Sequence, residues 1–146
     1  MKTVVATLTL AACATILMAA GNSASEVTFV SHEKVAASLA KGGDLVKAPD
    51  LTVLGAHRNG AGQCEVHDKE TDVMYVLDGD ATLVTGGKMV AGKVTAPGQW
   101  RGTGIEGGHA QHLTKGDVIV IPAGIPHWFK EVPQSISYYV VKVIKQ

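Results

Sequence analysis

The sequence predicts an all-β domain, a sandwich or barrel of many short strands, led by one short helix. Three observations predict it. Six β-rich runs fill the chain after residue 50: Leu51–Ala56, Cys64–His67, Asp72–Leu77, Ala81–Thr85, Asp117–Ile121 and Ser137–Ile144. Glycine and proline turn signals punctuate them, at Asn59-Gly60, Asp78-Gly79, Gly86-Gly87, Lys115-Gly116 and Pro122-Ala123-Gly124. Helix start and stop signals frame one segment of the mature chain, Ser31–Gly42. Many short strands with glycine turns pack as two layers or close on themselves.

The N-terminus reads as an address. Lys2 is the one charge in the first 25 residues, and Thr3–Ala20 is apolar or small throughout. Ser23-Ala24-Ser25 then offers small residues to a signal peptidase. The pattern predicts a signal peptide over residues 1–25 and an exported mature chain, periplasmic or secreted, over residues 26–146. A membrane anchor is the competing reading. The run of 18 residues is borderline in length, but it is rich in Ala and Thr and lacks a stop-transfer charge cluster. Leu10-Ala11-Ala12-Cys13 also has the look of a lipid-attachment site, although the apolar run continues past Cys13 to Ala20. Cleavage leaves Cys64 without an internal disulfide partner, as a reactive thiol or as a small buried hydrophobe.

Within Ser31–Gly42, Ser31 is placed to cap the helix, Glu33 sits in the first turn, Lys41 in the last, and Gly42 ends it. Val35 and Leu39, four apart, give a narrow apolar stripe for packing on something larger. Between the β-rich runs, the segment Gly86–Gly108 stands apart. It holds eight of the 17 glycines, with Trp100 and Arg101 in its middle. It reads as part of a long insertion over residues 86–112, a lid or binding loop. Trp100 either lines a site or pins this loop to the barrel.

Composition narrows the function classes. The 146 residues suit one domain and can bury a core without disulfides. Lys plus Arg equals Asp plus Glu at 13 each, and loss of the leader shifts the balance to −1. A nucleic-acid binder needs a cationic surplus to neutralise phosphates, and a membrane-surface protein needs a basic cluster, so neither is expected.

The chemistry-bearing residues fall in two places. In a strand over Cys64–His67, alternation sends Glu65 and His67 to one face, and Asp72 opens the next strand with Met74 and Val76 on its own face. A hairpin would gather Glu65, His67 and Asp72 around one point. Three such groups on an inner face are costly unless paired or metal-bound. Further along, Gly116, Pro122-Ala123-Gly124 and His127 frame a buried strand, a tight turn and a histidine.

That second segment resembles the second motif of the cupin family: Gly, five residues, Pro-x-Gly, two residues, His, three residues, Asn. Each position matches except the last, where Glu131 stands. The first cupin motif reads Gly, five residues, His-x-His, three or four residues, Glu, six residues, Gly. His67 and Gly79 match it, Asp72 replaces the Glu, Glu65 replaces the first His, and Asn59 stands beside Gly60 where the opening Gly is expected. Motif 1 thus runs over about 59–79 and motif 2 over 116–131, with 36 residues between Gly79 and Gly116.

The resemblance implies a double-stranded β-helix, or jelly-roll barrel, with a short N-terminal helix. It also implies one divalent metal inside the barrel, with Glu65, His67, Asp72 and His127 as ligands. Two imidazoles with carboxylates form a hard, anionic set, which suits Mn(II) or Fe(II), with Zn(II) also open. Asp72 is one methylene shorter than the family's Glu, so water is expected between it and the metal. The same replacements are compatible with a metal-free barrel in which Glu65 and His67 bond to each other.

Three functions remain open at this stage. One is a metal-dependent enzyme acting on a small molecule, of oxygenase, isomerase or decarboxylase type. The second is a non-catalytic cupin that captures or senses a small ligand. The third is a structural homodimer through the barrel edge at Ser135–Ile144. Tyr75 and Trp128 are expected in the packing. His57, His109 and His112 are expected at the surface, and Arg58 is expected to pair with a carboxylate of the protein or of a substrate.

Overall fold

The structure is a computed structural model and describes residues 27–145. The expected signal peptide, with Cys13, lies outside the described residues. Helix α1 spans His32–Lys41. Ser31 takes the extended N-cap conformation, but its side chain makes no capping bond. Gly42 ends the helix at φ 76°, with its N–H bonded to the Ser38 carbonyl at 2.8 Å.

Twelve strands follow among the described residues: β1 Gly43–Lys47, β2 Leu51–Arg58, β3 Cys64–His67, β4 Glu70–Thr85, β5 Lys88–Val90, β6 Lys93–Ala96, β7 Gln99–Gly102, β8 Gly104–Glu106, β9 His109–Thr114, β10 Val118–Ile121, β11 His127–Glu131 and β12 Ile136–Ile144. All pairings are antiparallel. One layer runs β1-β2-β12-β4-β10 and the other β6-β7-β3-β11-β4-β9, while β5 and β8 form a small separate ribbon. The long strand β4 belongs to both layers.

The passage of β4 between layers corrects one expectation. Asp78-Gly79 reads as a turn, yet the strand continues through it. Gly79 sits at φ 79°, and a Cβ there would lie 2.0 Å from the Ser135 carbonyl oxygen. The β12–β4 register slips at the same place, between Ser137 and Tyr138. The glycine therefore works as a bulge that re-aims the strand from one sheet to the other.

The inner faces enclose a core of Met74, Val76, Leu83, Phe129, Ile136 and Tyr138, among others, with the Phe129 and Tyr138 rings stacked at 5.1 Å. Tyr75 is not part of it. It is 45 % exposed, because the alternation that buries Met74 and Val76 turns Tyr75 outward. Helix α1 packs outside β2. Ser38 donates to the Gly43 carbonyl and accepts the Gly55 N–H at 3.0 Å, and a Cβ on Gly55 would fall 2.6 Å from the Ser38 hydroxyl.

Two further expectations change. Residues 86–112 are not a long loop but short strands, and β7 and β9 join the larger sheet beside β3 and β4. Strands of three to six residues joined by tight turns leave too short a record for a period of two to emerge. The Ser135–Ile144 segment is not a barrel edge, because β12 is bonded on one side to β2 and on the other to β4. Its backbone is fully committed, so no second copy can add a strand there.

Candidate metal centre

Glu65 and His67 come from β3, Asp72 from β4 and His127 from the start of β11. The residues expected from the sequence meet, but a hairpin does not bring them together. β3 pairs with β7 and β11, and the turn after His67 carries the chain across to the other layer. Glu65 lies directly opposite His127 and Arg101, His67 opposite Gln99, and Asp72 opposite Lys142 and Ile121.

Four atoms form a ring in which imidazole nitrogens alternate with carboxylate oxygens. His67 Nε2 is 3.5 Å from Glu65 Oε2 and 3.6 Å from Asp72 Oδ2, and His127 Nε2 is 3.9 and 3.8 Å from the same two oxygens. Both histidines and Asp72 are buried. Burial opposes charge on Glu65, but His67 beside it and the charges of Arg101 and Arg58 hold its carboxyl down at about 2. Burial also holds His127 below the ordinary imidazole range, which favours the neutral ring.

The hydrogen bonds behind the rings settle where the imidazole protons sit. His127 Nδ1 lies 3.1 Å from the Ile125 carbonyl oxygen, which can only accept, so Nδ1 carries the proton. His67 Nδ1 meets the Gln99 amide oxygen, while the Gln99 amide nitrogen donates to Glu70 Oε1 at 2.9 Å. Nδ1 of His67 therefore also donates. Both Nε2 atoms point into the ring, and these two atoms are buried without a hydrogen-bond partner.

A buried polar atom without a partner costs free energy. Two of them facing two carboxylate oxygens fit a divalent cation. Donors about 2.0–2.2 Å from a tetrahedral ion stand about 3.3–3.6 Å apart, close to the spacing of the ring. Glu65, His67 and His127 form one group able to hold an ion, and His67, Glu70 and Asp72 form another.

Beside the ring lies a cavity of about 120 Å³. Leu54, Met74, Phe129 and Val140 supply apolar wall, and Arg58 and Gln63 supply polar groups. Arg58 pairs with the protein's own groups. Its Nε donates to the Tyr138 hydroxyl at 2.7 Å, its guanidinium lies 4.8 Å over the Phe129 ring, and it stands 3.7 Å from Glu65.

Other weighed residues lie elsewhere. His57 bonds Ser137 and Asn59 outside the cavity, His109 is exposed, and His112 stands 3.7 Å from Asp80 at the surface. The Trp100 indole donates to Asp68 at 3.1 Å, which pins its strand to the β3–β4 turn. The Trp128 indole donates to the Gly62 carbonyl. Glu131, at the departure from the second motif, accepts from Thr82 on the surface. Cys64 is fully buried, and burial with the nearby Glu65 charge pushes its thiol up to about 11.

Sequence reasoning missed Glu70, Gln99 and Lys142. Gln99 sits in the segment read as a loop, and only the sheet brings it beside His67. Lys142 left a signal, because it continues the inward parity of Tyr138 and Val140 in an otherwise apolar strand.

Two antiparallel layers sharing one long strand, with imidazoles and carboxylates meeting inside, define a double-stranded β-helix with a candidate metal centre. The cupin family model matches residues 21–143, and the chain belongs to that family. No curated protein sequence matches it significantly. Among solved structures it is similar to BH2720 from Bacillus halodurans, at 15% identity and TM-score 0.52, over 70% of this chain and 69% of that one. It is likewise similar to an uncharacterised conserved protein with a double-stranded β-helix domain from Klebsiella pneumoniae, at 17% identity and TM-score 0.50, over 69% of each chain. Peruvianin-I, a cysteine peptidase from Thevetia peruviana latex, is matched at 16% identity and TM-score 0.44 over 66% of this chain, which spans 52% of that protein. The first two likenesses bear on the fold, and the last carries no weight for activity.

Proposed function

We propose that the protein is an exported cupin that holds one divalent cation between Glu65, His67 and His127, with Asp72 beside them, and acts on a small molecule bound in the adjoining cavity. The observation that carries this reading is the pair of buried Nε2 atoms with no hydrogen-bond partner, facing two carboxylate oxygens. A metal-free barrel would leave both orphaned, whereas a cation satisfies both.

The donor set is two imidazoles and one or two carboxylates, which favours Mn(II) or Fe(II) and admits Zn(II). A bound cation of this kind supplies Lewis acidity toward a small molecule that reaches it. The protein's own residues do the rest. Ile125 and Gln99 hold the Nδ1 side of each imidazole, so that Nε2 of each ring faces the cation position. Leu54, Met74, Phe129 and Val140 exclude water from one side of the cavity, while Arg58 and Gln63 offer donors to a polar end of the guest.

The test is elemental analysis of untagged protein recovered from its export compartment. Wild type should carry about one divalent cation per chain and Glu65→Ala far less. A wild type with only traces of metal, unchanged in His127→Ala, would overturn the reading. Capture without turnover is the second function considered. Arg58 is already bonded to Tyr138, which suits a holding role more than a proton-transfer role. Thermal-shift screening of the metal-loaded protein separates the two, because a stabilising compound that is consumed marks an enzyme and one that persists marks a binder.

A further inference from the structure

Lys142 is an anomaly in its strand. Ile136, Tyr138 and Val140 point inward and are buried, and Lys142 continues their parity into the cavity. The β12–β4 ladder sets it directly across from Asp72. Its side chain is 18% exposed, and its ammonium donates to Asp72 Oδ1 at 2.8 Å and lies 2.9 Å from Glu70 Oε2. A cation in such a place is costly unless paired, and here it takes two carboxylates at once. Those carboxylates also flank His67. Asp72 Oδ2 is 3.6 Å from Nε2, and Glu70 Oε2 is 3.7 Å from Nδ1.

We propose that Lys142 is a resident competitor of the metal for Asp72. Its ammonium holds one oxygen of that carboxylate and repels a divalent cation approaching the other. The cation is then left to Glu65, His67 and His127, and affinity is kept below what four protein ligands would give. The inference rests on the metal-centre reading above. Its physical basis is that two positive charges sharing one buried carboxylate interact strongly where the dielectric is low. Lys142 thus works by what it withholds, as a residue that sets metal retention and keeps Asp72 free of direct ligation.

The test measures Mn(II) binding to the chelator-stripped full chain by isothermal titration calorimetry, with circular dichroism reporting the fold of each variant. Lys142→Gln removes the charge and should bind Mn(II) about tenfold or more tightly than wild type, whereas Lys142→Arg, which keeps the charge, should stay near wild type. Asp72→Asn should weaken binding by less than about threefold in the wild-type background and should erase the gain in the Lys142→Gln background. Mn(II) binding by Lys142→Gln alone, with none in wild type, overturns the proposal that wild type keeps the cation on Glu65, His67 and His127. Equal or weaker binding by Lys142→Gln overturns it while leaving the metal centre standing, and so does a loss of tens of fold in Asp72→Asn alone. No Mn(II) binding by wild type or by Lys142→Gln overturns the metal centre itself, and this inference with it.

Discussion

Two imidazole nitrogens in the interior of this barrel have no hydrogen-bond partner, and the residues behind them aim them at one point. The Ile125 carbonyl locks the ring of His127, and Gln99 locks that of His67 through its amide oxygen while its amide nitrogen is anchored on Glu70. Gln99 is thus a positioning residue remote in sequence from every expected ligand. Gln99→Leu should lower Mn(II) affinity by about 10- to 100-fold with the fold intact, which calorimetry checks against a circular dichroism control. Glu65 makes a second prediction at this scale. Its carboxyl is held at about 2 against an ordinary value of 4.5. A lowered value means that the stabilisation is full above pH 4.5 and is lost as pH falls through that value toward 2. In metal-free protein, wild type should therefore lose more stability between pH 6 and pH 2.5 than Glu65→Gln does. Urea midpoints at the two pH values check it, and parallel losses would contradict it.

At the scale of elements, β4 decides the geometry. One strand serves both layers because Gly79 lets it bend where any side chain would strike the Ser135 carbonyl. Its first half carries Asp72 and its second half pairs with the strand that begins at His127. Gly79→Ala combines a positive φ with a backbone clash and should cost about 2–3 kcal/mol, read as a lower urea midpoint at unchanged slope. The sequence shows the glycine but not its use, because Asp-Gly is also a strong hairpin-turn signal. The helix, β3 and β12 were legible because each carries a clean pattern with defined ends. The strands between residues 86 and 112 were not, because β7 and β9 are held by pairing with β3 and β4, and β5, β6 and β8 by pairing within the segment, and not by their own composition.

For the whole molecule, the two motifs and their order were enough to name the family and to select the four residues that meet in the barrel. What they did not contain is the surrounding network. Lys142 stands 70 residues from Asp72, and Gln99 stands 32 from His67. The inward parity of Lys142 is visible in its strand, but neither contact partner is, since antiparallel pairing between distant strands is set by the whole sheet and not by neighbours in the chain. Tyr75 shows the reverse case, a bulky residue read as core although the same alternation that buries Met74 excludes it.

The central claim is that His67 and His127 present their Nε2 atoms to one cation. Electron spin-echo spectroscopy of the Mn(II)-loaded chain measures this directly, through the coupling of imidazole nitrogens to the metal. Two coupled nitrogens are expected in wild type, and one in either His67→Ala or His127→Ala. Mn(II) bound with no nitrogen coupling, or with two nitrogens retained in His127→Ala, would contradict the claim.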